Sequence, residues 1–289
     1  MTTLLKAKPA IAALTASMQA DAAKATAKLG RKPGLTVVLV GDDPASAIYV
    51  RNKQRRAEEL GINSQTVRLP DTASQADVIQ TVEKLNADTT VDGIIVQLPL
   101  PAQIDDDAII NTIADDKDVD GFTLRTTGRL WTLPKNSHET VGPCTPLGIM
   151  ALLAFYQIDV AGKHAVIVGR SNIVGKPMAA MLLNEGATVT IAHSQTENLR
   201  ALLQTADIIV AATGRRNLIT AADVKPGATV IDVGMNRYVD DAGKKHLVGD
   251  VDFDGVSQVA GAITPVPGGV GPMTVNLLMQ QTITRALQR

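Results

Sequence analysis

Short apolar runs alternate with longer polar or amphipathic stretches along the first half of the chain. The run LTVVLV (35–40) is rich in β-branched residues, which predicts a buried strand. The stretch after it predicts a helix with Asp43 as N-cap and Pro44 at its first position, ending near Gly61. Two further strands, QTVRL and VDGIIVQLPLP, flank a polar helix predicted at 74–87. Strands that alternate with helices predict right-handed βαβ units and a parallel sheet.

A second alternating block follows residues 131–146, whose prolines and polar residues predict a linker or domain edge. Its predicted strands are HAVIVG, ATVTIAH, ADIIVAAT and TVIDVG. Its predicted helices start near residue 174 and span 196–204. The Gly/Pro loop AGAITPVPGGVGPMT then leads into an apolar helix, VNLLMQQTITRAL. With 289 residues, the chain is long enough for two domains of the α/β class.

Composition narrows the possible partners. The chain holds 28 Lys plus Arg and 29 Asp plus Glu, a formal net charge of -1, so it lacks the basic surplus typical of nucleic-acid binding. The single cysteine, Cys144, excludes an internal disulfide and a cysteine-rich metal site. The first 29 residues interrupt their apolar positions with charges, so we expect no signal peptide, no membrane span and a soluble cytoplasmic protein.

The segment IYVRNKQ places Tyr49 four residues before Lys53. On a helix, that spacing puts both side chains on one face, one turn apart. The pair is either a solvated helix face or a proton-handling site. The helix follows strand LTVVLV at its carboxyl end, which is the edge where α/β proteins build their sites.

The segment VIVGRSNIVGKP (166–177) joins a strand to a helix, where doubly wound folds bind a dinucleotide pyrophosphate. Its glycines do not follow the usual G-x-G-x-x-G spacing, since Gly169 is followed by Ser171 and then Gly175. The next strand ends in His193 and Ser194 without the carboxylate that binds the ribose of NAD. Arg170 could pair with a 2′-phosphate, so NADP is favoured, unless Arg170 is merely a solvated loop residue.

The segment DKDVDG (116–121) matches the opening of an EF-hand loop. A calcium loop needs a bidentate Glu at its twelfth position, where this chain has Thr127. We therefore expect no metal site, and interpret the segment either as a solvated acidic turn or as a source of one carboxylate that binds a polar substrate.

Several segments together resemble the bifunctional methylenetetrahydrofolate dehydrogenase/methenyltetrahydrofolate cyclohydrolase family. They are IYVRNK, VQLPLP, KDVDGF, GRL, PCTP, VIVGRSNIVGKPM, IDVGMNR, GDVDF and AGAITPVPGGVGPMT, in this order over nearly the whole chain. The resemblance implies NADP-dependent oxidation of 5,10-methylene-tetrahydrofolate, and hydration of the methenyl product to 10-formyl-tetrahydrofolate in the same folate site. It also implies a homodimer that acts on tetrahydrofolate derivatives.

The resemblance implies two α/β domains with a cleft between them. The first, residues 1–140 plus 267–289, would bind folate on a parallel sheet completed by the C-terminal helix. The second, residues 141–266, would be a Rossmann-like domain that binds NADP.

Residue roles follow from the same resemblance. Lys53 matches the catalytic lysine, Tyr49 the tyrosine that stacks on or orients the folate, and Gln97 the glutamine that positions the lysine. Asp120 matches the carboxylate that holds the pterin ring. The remaining matches are the Gly268–Gly269 loop beside folate and nicotinamide, and the cofactor-binding positions Gly169, Arg170, Ser171, Ser194 and Met235.

Two departures from the family pattern concern only fine nucleotide contacts: Leu147 follows PCTP where relatives often have Lys, and TGRRN replaces a GKP type of loop.

Two alternative functions remain. A Tyr-x-x-x-Lys pair also occurs in short-chain dehydrogenases, but there it follows the nucleotide loop, whereas here it precedes that loop by more than a hundred residues. The second alternative is a non-catalytic nucleotide-binding protein.

Overall fold

The computed structural model describes residues 2–41, 44–132, 141–239 and 243–289, and the side chains of residues 44–49 lie outside this description. The strands in these ranges are β1 (Thr3–Leu4), β2 (Gly34–Val40), β3 (Asn63–Leu69), β4 (Gly93–Val96), β5 (His164–Val168), β6 (Thr188–Ala192), β7 (Ile208–Ala211), β8 (Thr229–Asp232), β9 (Asn236–Val239), β10 (Lys245–Val248) and β11 (Ala262–Ile263). The α-helices are α1 (Ala7–Leu29), α2 (Pro44–Glu59), α3 (Gln75–Ala87), α4 (Asp106–Ile110), α5 (Leu124–Thr132), α6 (Cys144–Phe155), α7 (Gly175–Asn184), α8 (Leu199–Leu203), α9 (Phe253–Val256) and α10 (Val270–Gln288).

The described residues divide into two compact units. We call residues 12–132, 141–144 and 275–289 the first unit, and residues 2–11, 145–239 and 243–274 the second unit. These units are defined by packing, and the predicted domain bounds stay a prediction. The predicted two-domain α/β class with parallel sheets is confirmed.

The first unit is built on a parallel sheet in the order β3-β2-β4. All seven residues of β2 are buried, because helices cover both faces of the sheet. Val37 and Leu39 pack into one core cluster with residues of α1, α2 and α10, while Val38 and Val40 pack into a second cluster with α3. The chain leaves β2 for β3 on one side and later returns to β4 on the other, so the strand order reverses at β2.

The second unit is built on a six-stranded sheet in the order β1-β11-β8-β7-β5-β6, in which every pair is parallel. The chain leaves β5 for β6 and then crosses to β7 on the other side. This reversal makes the carboxyl ends of β5 and β7 the switch point where such folds bind ligands. A separate antiparallel pair, β9 with β10, follows β8 and was not predicted from the sequence.

Most elements agree with the sequence pattern. Helix α3 begins after Ser74, which forms a capping box with Asp77, as its polar start predicts. Helix α2 ends before Gly61, whose φ is +76°. The predicted helix at 196–204 is shorter, and the predicted linker at 131–146 is partly wrong because α5 extends to Thr132 and α6 starts at Cys144. The predicted N-cap Asp43 lies outside the described residues.

Candidate active site

The Lys53 side chain lies at the switch point of the first sheet. Lys53 is on α2, which follows β2, and is only 9% exposed. Its Nζ donates a hydrogen bond to Oε1 of Gln97 over 3.1 Å. Gln97 directly follows β4, where its backbone N–H donates to the Val38 carbonyl over 2.9 Å and continues the ladder of the sheet. The pair thus joins α2 to the carboxyl end of β4 through side chains.

The Gln97 amide is fixed in orientation as well as in position. Its Nε2 donates to the backbone carbonyl of Leu98 over 2.9 Å, which directs the Oε1 acceptor to the lysine. Arg51 and Arg55, on the same helix, are exposed, as expected for a solvated face. Lys53 therefore differs from its basic neighbours by burial and by a dedicated partner. Tyr49 lies on α2 one turn before Lys53, and its side chain lies outside the described part of the chain.

The acidic segment after β4 directs its three aspartates to different partners. Asp116 pairs with Arg289. Asp118 is 1% exposed and stabilises the loop that follows it. Its carboxylate accepts hydrogen bonds from the Gly121 N–H at 2.8 Å and the Thr126 hydroxyl at 2.7 Å. No group of three His, Cys, Asp or Glu side chains that could hold a metal ion occurs among the described residues.

Asp120 differs from these two aspartates because it lies within electrostatic reach of Lys53. It is partly buried, and burial raises the pKa of its carboxyl, while the positive charge of Lys53 lowers it. The structure thus brings Lys53, Gln97 and Asp120 together in the first unit. This grouping favours the substrate-binding interpretation of the acidic segment over a solvated turn.

Two buried residues next to Asp120 extend this group. Cys144 is 1% exposed, and burial together with the charge of Asp120 raises the pKa of its thiol well above the ordinary value. A thiol with a raised pKa is a poor nucleophile, so we interpret Cys144 as a packed residue of this group. Gln281 of α10 donates to the Cys144 Sγ over 3.1 Å. Sequence reasoning missed Gln281, because only its place on the buried face of α10 distinguishes it from other glutamines.

The loop between β5 and α7 approaches neighbouring backbone closely at two glycines. Gly169 has a φ of +131°, and a Cβ there would overlap the backbone carbonyl of Ala212. A Cβ at Gly175 would overlap the carbonyl of Gly169 in turn. The two glycines therefore allow the loop to pass close to the carboxyl ends of β5 and β7, and α7 begins directly after it. The N–H groups at the start of a helix favour a bound anion such as a pyrophosphate.

The side chains of this loop are exposed or serve the loop itself. Arg170 is exposed. The Ser171 Oγ accepts bonds from the N–H groups of Val174 at 3.1 Å and Gly175 at 3.3 Å, which caps the start of α7. Ser194, after β6, is exposed too.

The other predicted positions of the second unit lie on loops after its strands. Met235 follows β8 and is 45% exposed. Gly268, with a φ of +103°, and the buried Gly269 lie on the loop between β11 and α10. These glycines belong to the second unit, apart from the group around Lys53 in the first. The binding and catalytic roles of all the predicted residues stay predictions.

Two buried carboxyl groups organise these loops and were missed by sequence reasoning. Asp250 accepts bonds from the Thr213 N–H at 2.6 Å, the Gly214 N–H at 3.0 Å and the Asn236 amide at 2.9 Å. Asp232 accepts bonds from the N–H groups of Gly234 and Asp250, both within 2.9 Å. Together they join the loops after β7 and β8. Burial raises the pKa of Asp232 to about 6, against the backbone N–H donors that favour its charged form.

The fold and the two carboxyl edges define a class of protein: a two-domain α/β enzyme with a nucleotide-binding sheet and a buried lysine site. Residues 5–120 match the catalytic domain, and residues 143–289 the NAD(P)-binding domain, of the tetrahydrofolate dehydrogenase/cyclohydrolase family model. The chain belongs to this family. This confirms the predicted resemblance and enzyme class, and sets aside both alternatives.

Individual relatives cover nearly the whole chain. The bifunctional protein FolD of Burkholderia multivorans is 54% identical over 277 residues, which is 95% of this chain and 94% of the relative. The structure of the bifunctional FolD dehydrogenase/cyclohydrolase of Campylobacter jejuni has a TM-score of 0.94 at 45% identity and full coverage of both chains. That of the Trypanosoma brucei enzyme, complexed with NADP cofactor and an inhibitor, has a TM-score of 0.93 at 35% identity, covering 99% of this chain and 98% of the other.

Proposed function

We propose that the chain oxidises 5,10-methylene-tetrahydrofolate with NADP and then hydrates the methenyl product to 10-formyl-tetrahydrofolate. The observation that carries this proposal is the buried Lys53–Gln97 pair with Asp120 in electrostatic reach. A nucleotide-binding sheet alone would support many oxidoreductases. The buried lysine supports a second, proton-dependent step beside the hydride transfer.

Lys53 handles the proton of the hydration step. The methenyl carbon is an electrophilic cation, so water that attacks it must lose a proton to a nearby group. Gln97 holds the Lys53 nitrogen in one place, because its own amide is fixed at Leu98. A fixed proton-transfer group lowers the entropic cost of reaching the reactive geometry.

Asp120 binds the pterin ring. The ring presents N–H donors in the plane of its heterocycle, and a carboxylate accepts such donors in pairs. Tyr49, one turn before Lys53 on α2, orients the folate ring system. The neighbouring Asp118 is already used by its loop, which leaves Asp120 as the carboxylate of this segment that serves the substrate.

NADP binds at the carboxyl edge of the second sheet, where it accepts the hydride. The loop with Gly169, Ser171 and Gly175, together with the start of α7, forms the pyrophosphate site. Met235 lies by the cofactor, and the Gly268–Gly269 loop borders the folate and the nicotinamide. Arg170 and Ser194 bind the 2′-phosphate, since both are exposed and the strand β6 ends without a carboxylate. Hydride transfer itself needs no acid or base from the protein, only relative position.

We also propose that the enzyme is a cytoplasmic homodimer that uses no nucleic-acid or membrane partner. The net charge of -1 supports the first exclusion. None of the helices in the described ranges has the length and apolar character of a membrane span. Light scattering should give twice the 30.4 kDa mass of one chain, and a monomer mass would contradict the dimer.

One assay tests the two activities together. Purified enzyme with methylene-tetrahydrofolate and NADP should reduce NADP and form a methenyl absorbance that then decays as water adds. Separately supplied methenyl-tetrahydrofolate should decay faster with wild-type enzyme than with Lys53→Ala. Formation of NADPH without enzyme-dependent decay would restrict the function to the dehydrogenase, and absence of both would overturn the proposal.

A further inference from the structure

Gln281 of α10 makes an unusually complete set of hydrogen bonds inside the first unit. It is 6% exposed. Its Nε2 donates to the carbonyl of Val119 over 2.7 Å and to the carbonyl of Gly142 over 3.0 Å, with the Sγ of Cys144 at 3.1 Å. Its Oε1 accepts from the N–H of Gly142 over 3.0 Å. One carboxamide thus joins three segments that are far apart in sequence.

Only a primary amide satisfies this environment. The site presents two carbonyl acceptors and one N–H donor, and a side-chain amide supplies two N–H donors and one carbonyl. A carboxylate would face the Val119 and Gly142 carbonyls with like partial charge. An apolar side chain would leave these buried groups without the Gln281 bonds, which costs free energy.

The bonds converge on the segment that carries Asp120. Val119, whose carbonyl is the shortest contact of Gln281, directly precedes Asp120. The thiol of Cys144 interacts electrostatically with the Asp120 carboxyl. On the other side, Gly121 has a φ of +78°, and a Cβ there would overlap the backbone of Gly142. Asp120 therefore lies between Val119, which is held by Gln281, and Gly121, which packs against the backbone of Gly142.

The next residue in the chain provides an internal contrast. Gln280 has the same side chain and lies on the same helix, but it is exposed. The helical rotation of one residue separates the two glutamines onto different faces. The pair therefore allows the effect of the buried bonds to be separated from the effect of removing a glutamine from α10.

We propose that Gln281 is a positioning residue for the folate reaction, which holds Val119 and Cys144 so that the Asp120 carboxyl keeps the place where it binds the pterin ring. This proposal rests on the proposed role of Asp120. The C-terminal helix thus contributes to the folate site by fixing the backbone that carries the Asp120 carboxylate, without contacting the ligand itself.

The test is steady-state kinetics on the full chain with Gln281→Met, which keeps the length and helix preference of the side chain. We expect the KM for methylene-tetrahydrofolate to rise about tenfold, the effect of losing one net hydrogen bond to the substrate. The KM for NADP should stay at the wild-type value. Gln280→Met, the matched control, should leave both constants unchanged. A folded Gln281→Met enzyme with wild-type folate KM would overturn the proposal.

A double-variant cycle identifies the route of the effect. In an Asp120→Asn background, Gln281→Met should raise the folate KM no further, because the carboxyl that it positions is already gone. An equal effect in both backgrounds would show that Gln281 acts elsewhere. If Asp120→Asn alone leaves the folate KM unchanged, the role of Asp120 fails instead, which is a separate result.

A second variant keeps the test valid if Gln281→Met does not fold. Gln281→Glu keeps the shape and the acceptor for the Gly142 N–H but loses the donor to Val119. Folate-analogue titration of this variant should show weaker binding than wild-type, with NADP binding unchanged. Equal affinity for the analogue would contradict the proposal as firmly as an unchanged KM.

Discussion

The two parallel sheets build their functional edges in different ways. At the carboxyl edge of the first sheet, Lys53 and Gln97 are withdrawn from solvent and bonded to each other. At that of the second sheet, Arg170 and Ser194 are exposed, and glycine backbone defines the shape of the loop after β5. Proton transfer needs a desolvated and fixed side chain, whereas an anionic dinucleotide binds to backbone N–H groups and a helix start. Removal of a side chain should therefore abolish the proposed reaction step at the first edge, whereas addition of a side chain should disrupt nucleotide binding at the second.

The largest expected effect is the removal of the Lys53 side chain. Lys53→Ala should slow methenyl hydration by about 10²–10⁴-fold, the usual contribution of a positioned proton-transfer group. The KM for NADP should not change, because the nucleotide loop lies in the other unit. Decay of methenyl-tetrahydrofolate absorbance measures the first quantity and steady-state kinetics the second.

The control for this prediction is Arg51→Ala, which removes an exposed cation two residues earlier on the same helix. It should leave hydration at the wild-type rate. Hydration by Lys53→Ala at the wild-type rate would show that the buried lysine serves packing and not proton transfer. The proposed functional difference between the two edges would then be wrong.

The next effect comes from adding one methyl group to the second edge. An alanine at Gly175 would overlap the carbonyl of Gly169, so Gly175→Ala should lower the free energy of unfolding by about 3 kcal/mol and weaken NADP binding. Urea unfolding and NADP titration measure the two losses. Folate-analogue binding by the first unit should persist wherever the variant is folded.

Gly128→Ala is the matched control, because Gly128 lies on α5 with open space around its Cα. In a helix, alanine is preferred to glycine by about 0.5–1 kcal/mol, so this variant should be as stable as wild-type or more so. If Gly175→Ala is tolerated as well as Gly128→Ala, the close approach of the loop does not determine its shape.

Sequence reasoning recovered what local pattern determines. The buried strand at 35–40, the polar helix from Ser74 and the helix start near residue 174 all follow from neighbouring residues. The Lys53–Gln97 contact was available only because the family resemblance assigned both residues to one site. Their 44-residue separation leaves no periodic signal.

The residues that sequence reasoning missed depend on contacts between distant segments. Gln281 bonds to Val119 across 162 residues, and Asp250 bonds to Thr213 across 37. A glutamine on a helix and an aspartate after a strand are ordinary in isolation, since neither type nor spacing indicates a buried partner. The Asp250 motif, GDVDF, was recognised as a family segment, but its structural role became visible only when three loops met at one carboxylate.

A smaller effect concerns Asp232, a buried carboxyl of the second edge whose pKa is raised towards neutrality. Burial raises the pKa of Asp232 from 3.8 to about 6, so the folded state binds its proton more tightly than the unfolded state. Its contribution to stability is thus greatest below the unfolded pKa and is lost as pH rises through about 6. Between pH 5 and 7.5, the stability of wild-type relative to Asp232→Asn should fall by about 1.5 kcal/mol.

Urea unfolding of both proteins at several pH values measures this difference, in which the contributions of groups remote from residue 232 cancel. A difference between wild-type and Asp232→Asn that is independent of pH would mean that the backbone donors keep Asp232 ionised throughout.

The smallest expected effect tests Arg170, one of the two exposed side chains that we propose bind the 2′-phosphate. Arg170→Ala should raise the KM for NADP about tenfold, since a charge-assisted contact to the 2′-phosphate contributes on that scale, and should leave the KM for NAD unchanged. Lys163→Ala, which removes an exposed cation just before β5 at the opposite edge of the sheet, should alter neither constant. Equal increases for both cofactors would show that Arg170 supports the loop in general, as Ser171 does by capping α7.

Because Arg170 is exposed, its contact with the 2′-phosphate should also weaken with added salt. The buried Lys53–Gln97 pair should show no such dependence on salt. A salt titration of the wild-type enzyme therefore distinguishes the two edges without any substitution.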